Sequence, residues 1–168
     1  MRTCACILIA VFWLVPGHLE SLAQAAAPAG GEFQASVASK VITPPGSIWM
    51  AGYAARTRPS DEVLQDLHAK VLALRDERGE RLIIVTADLI ALPRDLCNQV
   101  AERAGKKHGL ERRQILFNAS HTHAGPVVWR NLDFLLEGGP AEREKVVRYR
   151  ERLADDLTGL INRAMADL

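Results

Sequence analysis

The chain has 168 residues, a formal net charge of +1 at pH 7 and 48% hydrophobic residues. This length suits one domain with a substantial core. The near-zero charge argues against nucleic acid as a partner, because proteins that bind a phosphate backbone usually carry a basic patch. The basic pairs Lys106–Lys107 and Arg112–Arg113 are short and lie near glutamates, which is typical of a solvated face.

The first 25 residues have the layout of a secretory signal peptide. Arg2 precedes a short apolar run, Cys4–Val15, and the small residue Ala25 offers a cleavage site. An uncleaved anchor is the alternative, although the apolar run is short for a bilayer span. We therefore expect residues 1–25 to be removed and the protein to be secreted or periplasmic.

A linker rich in alanine and glycine is predicted at residues 26–32, followed by the folded domain at 33–168. The domain contains a single cysteine, Cys97, so an internal disulfide is excluded. Because Cys97 falls inside a predicted helix, we interpret it as a buried structural thiol.

Hydrophobic patterning predicts an α/β fold in which a mixed β-sheet is flanked by helices. The predicted strands, in chain order, are 33–43, 67–76, 82–89 and 114–120, the middle two forming a hairpin. The third strand is apolar nearly throughout, which is typical of a strand covered on both faces. One helix is predicted to begin with Pro93 at its first position and to end at His108–Gly109, and a second occupies 140–168.

Two segments are expected to cover apolar surface. The irregular segment 47–62 contains Trp49, Met50 and Tyr53, which are too apolar for a solvated loop, so it should pack down, over a site. The last helix also needs a surface, and without strands from elsewhere its Leu153–Leu157–Leu160 face is expected to be partly exposed.

The stretch LFNASHTHAGP at the end of the fourth strand carries the strongest chemical signal. If strand geometry continues, His121 and His123 point to the same side and face one cavity near the Trp49–Tyr53 loop. Imidazole is a common zinc ligand, but a lone His-x-His is a weak pattern. The His-Glu-x-x-His and Gly-x-Ser-x-Gly motifs are absent from the sequence, and Ser120 is a poor candidate nucleophile because adjacent strand side chains diverge.

Several motifs together resemble those of the neutral ceramidases. ASHTHAGP is similar to their (S/A)-x-T-H-T-H-S-G-P signature, and ASKVITPP, WMAGY, DLHAKVLALRD and RLIIVTADL resemble further family segments in the family's order. The chain departs from the pattern at Ser120, at Ala124 and at Val41, where the family has Thr, Ser and an acidic residue. These departures leave open a substrate other than ceramide.

The resemblance implies a Zn²⁺-dependent amidase that cleaves the N-acyl bond of ceramide to give sphingosine and a fatty acid. His121 would be a zinc ligand, and the catalytic residue His123 would orient water or stabilise the oxyanion. His68 either lines the same cavity or is a satisfied histidine. Asp88 either orients a histidine or caps the helix that follows Pro93, and we favour the cap. The partner would be a lipid amide, with membrane-surface association as a route to it.

In that family a further histidine, a glutamate and a tyrosine complete the zinc site downstream of the His-x-His. No histidine follows His123, and neither His18 nor His108 is a credible third ligand, so we expect the N-terminal portion of a larger catalytic domain, inactive alone and weak in zinc binding. A hydrolase of another acyl amide or lipid, and a non-catalytic binding domain with an incomplete site, remain as alternatives.

Overall fold

A four-stranded mixed sheet and two helices form the domain. The computed structural model describes residues 32–129 and 139–168. The elements are β1 (Gln34–Val41), β2 (His68–Arg75), β3 (Arg81–Ala87), α1 (Arg94–His108), β4 (Ile115–Ala119) and α2 (Gly139–Ala166). The sheet order is β1-β2-β3-β4, with β4 parallel to β3 and the other pairs antiparallel. The predicted α/β fold with a mixed sheet is therefore confirmed.

The predicted signal peptide, residues 1–25, lies outside the described residues, as does the predicted linker except for Glu32. Within the described residues, neither helix is long and apolar enough to cross a bilayer.

The β2–β3 hairpin closes through Asp76. Its carboxylate accepts hydrogen bonds from the backbone N–H groups of Arg78 and Glu80, at 2.9 and 2.8 Å. Gly79 adopts φ +81°, a conformation that glycine reaches at little cost. The turn thus brings β2 and β3 into antiparallel register, from Arg75 opposite Arg81 onward.

Helix α1 makes the crossover between the parallel strands β3 and β4. Pro93 occupies the N-cap, so the helix begins one residue later than predicted. It ends as predicted at Gly109, whose φ of +64° allows its N–H to bond the Gly105 carbonyl at 2.8 Å. Two cationic side chains in the last turn, Lys106 and Lys107, complement the negative end of the helix dipole.

Helix α2 covers the sheet, and the expectation that its apolar face would be partly exposed is wrong. Leu153, Leu157 and Leu160 are each at most 1% exposed. They are covered because α2 packs on β1 and β2 while α1 packs beside it. Small inward residues on the sheet, Ala69 and Ala73, are themselves fully buried in the same core. The described elements alone therefore bury this face.

The opposite face of the sheet is less covered than predicted for β3. Leu82 is 39% exposed, and burial alternates along β3 with Ile83, Val85 and Ala87 inward. The strand register aligns one outward row across the sheet, formed by Val37, Leu72, Ile84 and Leu116. In the part of the chain that the structure describes, β3 is thus fully covered on one face only.

A buried arginine joins the two helices. Arg150 on α2 is 3% exposed, and its Nη2 lies 2.8 Å from a carboxylate oxygen of Asp95 at the start of α1. Desolvation opposes ionisation of Asp95, but the hydrogen bond and charge of Arg150 outweigh it and lower the pKa of Asp95. The Nε and Nη1 atoms of Arg150 are buried without a hydrogen-bond partner among the described residues. The ion pair with Asp95 therefore compensates much of the charge of this guanidinium.

We expect Asp95→Ala to lower the free energy of unfolding by about 1–2 kcal/mol, because a buried guanidinium loses its counterion while Asp95 itself is largely exposed. Urea unfolding measures this loss. Asp155→Ala is the control, since its ion pair with Arg103 is exposed and should contribute about 0.5 kcal/mol or less.

The sign of the pH dependence follows from the lowered pKa of Asp95. Its stabilisation is present above the ordinary carboxyl pKa and is lost as pH falls through the lowered value, so the deficit of Asp95→Ala should shrink in acid. Equal losses for the two variants at neutral pH would contradict this role of Asp95.

Cys97 is buried, as predicted, and burial raises the pKa of its thiol. Because the thiolate is the reactive form, we expect Cys97 to react slowly with a thiol reagent such as Ellman's reagent at pH 8 in the folded protein, and rapidly in denaturant. Fast labelling of the native protein would contradict the predicted burial.

Candidate functional site

The histidine pair lies where β4 ends and the chain turns. Ser120 still continues the sheet pairing, since its N–H bonds the Ala87 carbonyl of β3 at 3.1 Å. His121 then has a φ of +60°. Among the described residues, it is the one residue other than glycine that has a positive φ. Such a conformation is uncommon for a side chain with Cβ and often marks a turn at a functional site.

The two imidazoles lie side by side, as predicted, but for a different reason. Their ring centroids are 5.2 Å apart, with the rings inclined at 69°. The strand ends at Ala119, so the period of two does not carry through to His123. The left-handed turn at His121 brings the rings together instead.

The exposed imidazole of His121 is oriented by a backbone carbonyl. Its Nδ1 lies 2.7 Å from the carbonyl oxygen of Ile90, a residue that follows β3 in the chain. A carbonyl only accepts, so Nδ1 carries a proton and, in the neutral ring, Nε2 keeps a free lone pair. This is the orientation and tautomer that a metal-ligating histidine normally has.

The 49–56 loop pairs with the segment after the histidines. The Trp49 carbonyl accepts from the Val127 N–H, and the Ala51 N–H donates to the Gly125 carbonyl, each at 2.9 Å. The prediction that this loop packs down is confirmed for Trp49, which is 3% exposed, and wrong for Tyr53, which is 64% exposed. The loop therefore contributes both a buried anchor and an exposed ring to the site.

Gly52 lets the loop approach His123 closely. A Cβ placed on Gly52, whose φ is +114°, would lie 2.7 Å from the His123 Cβ. The next residue, Tyr53, places its ring edge-on to the His123 ring, with centroids 5.1 Å apart. His123 thus lies close to the His121 ring, the Gly52 backbone and the Tyr53 ring.

Arg56, which sequence reasoning did not single out, also reaches this site. Its Nη2 donates to the His123 carbonyl at 2.8 Å, and its guanidinium lies 5.3 Å from the Tyr53 ring centroid. An arginine in an irregular loop has no periodicity that would mark it in the sequence. Its role is visible only once the loop and the histidine turn are seen together.

A cavity of about 780 Å³ opens beside the histidine turn. Thr122 and Ala124 border it, whereas the residues lining it do not include His121, His123 or His68. Its apolar wall includes Met50, Val63, Leu64 and Leu67, of which Val63 and Leu64 are 61% and 88% exposed. The paired imidazoles therefore lie next to this cavity and do not line it, which differs from the prediction that they face one cavity.

Asp88 does not cap α1, so the favoured interpretation of this residue is wrong. The N-cap of α1 has no side-chain hydrogen bond. The Asp88 carboxylate accepts instead from the backbone N–H of His68 at 2.9 Å, and its own N–H donates to the His68 carbonyl at 2.9 Å. These bonds extend the β2–β3 pairing by one residue and place Asp88 on the cavity wall.

His121 has the orientation that a metal ligand needs, but the described residues do not supply a complete ligand set around it. No group of three or more His, Cys, Asp or Glu residues that could hold a metal ion occurs within residues 32–129 and 139–168. The ring of His108 lies at the end of α1, where its Nε2 is 2.7 Å from Asn162 Oδ1, away from the pair.

We expect Gly52→Ala to displace His123 and to lower the free energy of unfolding by about 1–3 kcal/mol, because the new methyl meets His123 and the φ is unfavourable. Gly46→Ala is the matched control. Gly46 has no heavy atom within 4 Å of an added Cβ and no positive φ, so its change should stay within about 0.5 kcal/mol.

Thermal unfolding and the ¹H–¹³C spectrum of the histidine rings measure the two effects. An unshifted His123 signal in Gly52→Ala would show that the loop does not hold this ring in place.

No protein-family model and no curated protein matches the chain. Solved structures do. Neutral ceramidase from Pseudomonas aeruginosa matches with a TM-score of 0.67 and 20% identity over 80% of this chain and 22% of that chain. A ceramidase complexed with C2 matches with a TM-score of 0.67 and 20% identity over 80% of this chain and 21% of that chain. The chain spans about a fifth of the length of these ceramidases and has a ceramidase-like fold.

Proposed function

We propose that the chain forms part of a zinc-dependent amide hydrolase of neutral ceramidase type, which cleaves the N-acyl bond of a lipid amide such as ceramide. The observation that carries the proposal is the histidine pair: His121 presents a free Nε2 because Ile90 holds its Nδ1–H, and His123 lies 5.2 Å away between centroids. The ceramidase-like fold supports it.

His121 would hold the zinc ion through Nε2, together with ligands outside the described residues. When bound, zinc supplies a Lewis acid that polarises the amide carbonyl and promotes ionisation of water. The Ile90 carbonyl fixes the tautomer of His121, which is the usual function of such an outer hydrogen bond. His123 would take or donate a proton, or hydrogen-bond the developing oxyanion, at the face of the site that Tyr53 borders.

The cavity beside the pair suits an apolar chain with a polar head. Its wall combines Met50, Leu64 and Leu67 with polar groups that include Asp88 and Thr122. Ligand sites commonly have this mixture of apolar lining and a few placed polar groups. The exposure of Leu64 and Val63 at this cavity would allow contact with a membrane surface from which a lipid substrate is taken.

The same features fit a hydrolase of another acyl amide or lipid, since neither the histidine pair nor the cavity selects a headgroup. A non-catalytic binding domain is favoured by one observation, the absence of a third ligand in the described part of the chain. Zinc binding through His121 separates the enzymes from the binding domain, and substrate profiling separates the two enzymes.

The first experiment measures zinc binding by equilibrium dialysis and by ¹H–¹³C spectra of the histidine rings. We expect weak binding that shifts the His121 and His123 signals and disappears in His121→Ala, because one or two imidazoles do not complete a zinc shell. His108→Ala is the control and should bind zinc as the parent does, since His108 pairs with Asn162 elsewhere. Zinc that leaves the His121 ring unshifted would rule out the proposed ligand.

The second experiment assays hydrolysis of a short-chain fluorescent ceramide. Residues 26–168 alone are expected to be inactive. A longer reading frame that supplies the histidine, glutamate and tyrosine implied by the resemblance should turn the substrate over, and His121→Ala in it should abolish turnover. If the longer protein binds zinc but does not hydrolyse ceramide, another acyl amide becomes the proposed substrate.

A further inference from the structure

Arg56 has a pattern of contacts that differs from that of the other arginines around it. Its one side-chain hydrogen bond among the described residues runs to the His123 carbonyl, at 2.8 Å. Its guanidinium also lies against Tyr53, the residue whose ring touches His123. Neighbouring Arg58 instead pairs with Asp61 on the surface, where its side chain is 79% exposed.

The Nε of Arg56 is buried and lacks a hydrogen-bond partner within the described residues. A guanidinium has five N–H donors, and a buried donor without an acceptor costs about 1–3 kcal/mol. An unpaired buried donor in a folded protein requires an explanation, and a function at the neighbouring histidine is one that the contacts of Arg56 support.

The position of Arg56 indicates that its function concerns His123. Backbone pairing holds the loop to the chain after the histidines at Trp49 and Ala51, but it does not reach residue 123. At His123 the loop instead contributes the close approach of Gly52, which limits the ring on one side. The bond from Arg56 fixes the carbonyl of His123, so the backbone from which the ring projects is held as well.

We propose that Arg56 is the positioning residue for His123: it fixes the His123 backbone through its carbonyl and supports Tyr53 against the imidazole. The catalytic meaning of this role rests on the function proposed above, in which His123 acts on the substrate. Arg56 also lines the cavity beside the turn, so its hydrogen bond to the His123 carbonyl connects the wall of this cavity to the histidine.

The proposal predicts that Arg56→Ala changes His123 without weakening the fold. Losing a single hydrogen bond is offset by removing the unpaired Nε, so Tm should stay close to that of the parent. The ring signals of His123 should shift and broaden, and the Tyr53–His123 contact in the NOE spectrum should weaken. His68 and His108 serve as internal references, because their hydrogen bonds, to Asp88 and Asn162, do not involve Arg56.

Arg58→Ala is the matched control, since it removes the same side chain two residues along the same loop and should leave His123 unchanged. Arg56→Lys keeps the charge and a donor but lacks the planar fork, so an intermediate shift of His123 is expected. In a longer protein that hydrolyses ceramide, Arg56→Ala should lower kcat by about 10- to 100-fold with KM nearly constant, and added guanidinium should restore part of it.

Each outcome decides the proposal. An unshifted His123 in Arg56→Ala, or an equal shift in Arg58→Ala, would overturn it. So would a large loss of Tm or failure of Arg56→Ala to fold, because either would assign Arg56 to the scaffold. These measurements need neither zinc nor hydrolysis, so a failure of the proposed amidase activity is detected separately, by the zinc and ceramide experiments.

Discussion

The site depends on backbone pairing between two segments that are distant in the sequence. Trp49 and Ala51 bond to Val127 and Gly125, which follow the histidines by a few residues. Because these bonds use main-chain groups, they fix the separation of the loop and the turn whatever side chains are present. The anchoring of His123 by Gly52 and Arg56 is possible only within that separation.

Backbone conformation and side-chain chemistry act together at His121. Its φ of +60° costs free energy, and the hydrogen bond from Nδ1 to Ile90 is one interaction that compensates. That bond also determines which nitrogen remains free. The Ile90 carbonyl, three residues beyond the end of β3, therefore supports the conformation of the turn and also selects the nitrogen that the imidazole offers.

Periodic elements could be predicted from the sequence, whereas the features of the site mostly could not. Helix α2 repeats its apolar positions over many turns, and the β2–β3 hairpin combines alternation with Gly79, so both were predicted well. The adjacency of His121 and His123 was predicted from a strand period that had already ended, because positive φ in a residue other than glycine leaves no mark in the sequence. Asp88 was misassigned as a helix cap because the helix after Pro93 is near in the sequence, and only the fold shows that it bonds the backbone of His68. The burial of the α2 face was underestimated because β1 and β2 supply enough surface to cover it.

The pairing between residues 49–51 and 125–127 also has a consequence for the order of folding. The β2–β3 hairpin and α1 consist of local contacts, which form with little loss of chain entropy. The loop and the histidine turn are more than seventy positions apart and meet only after the sheet between them exists. The histidine pair should therefore acquire its geometry late, and the region around it should be among the first to open in native-state hydrogen exchange, while the hairpin and both helices stay protected.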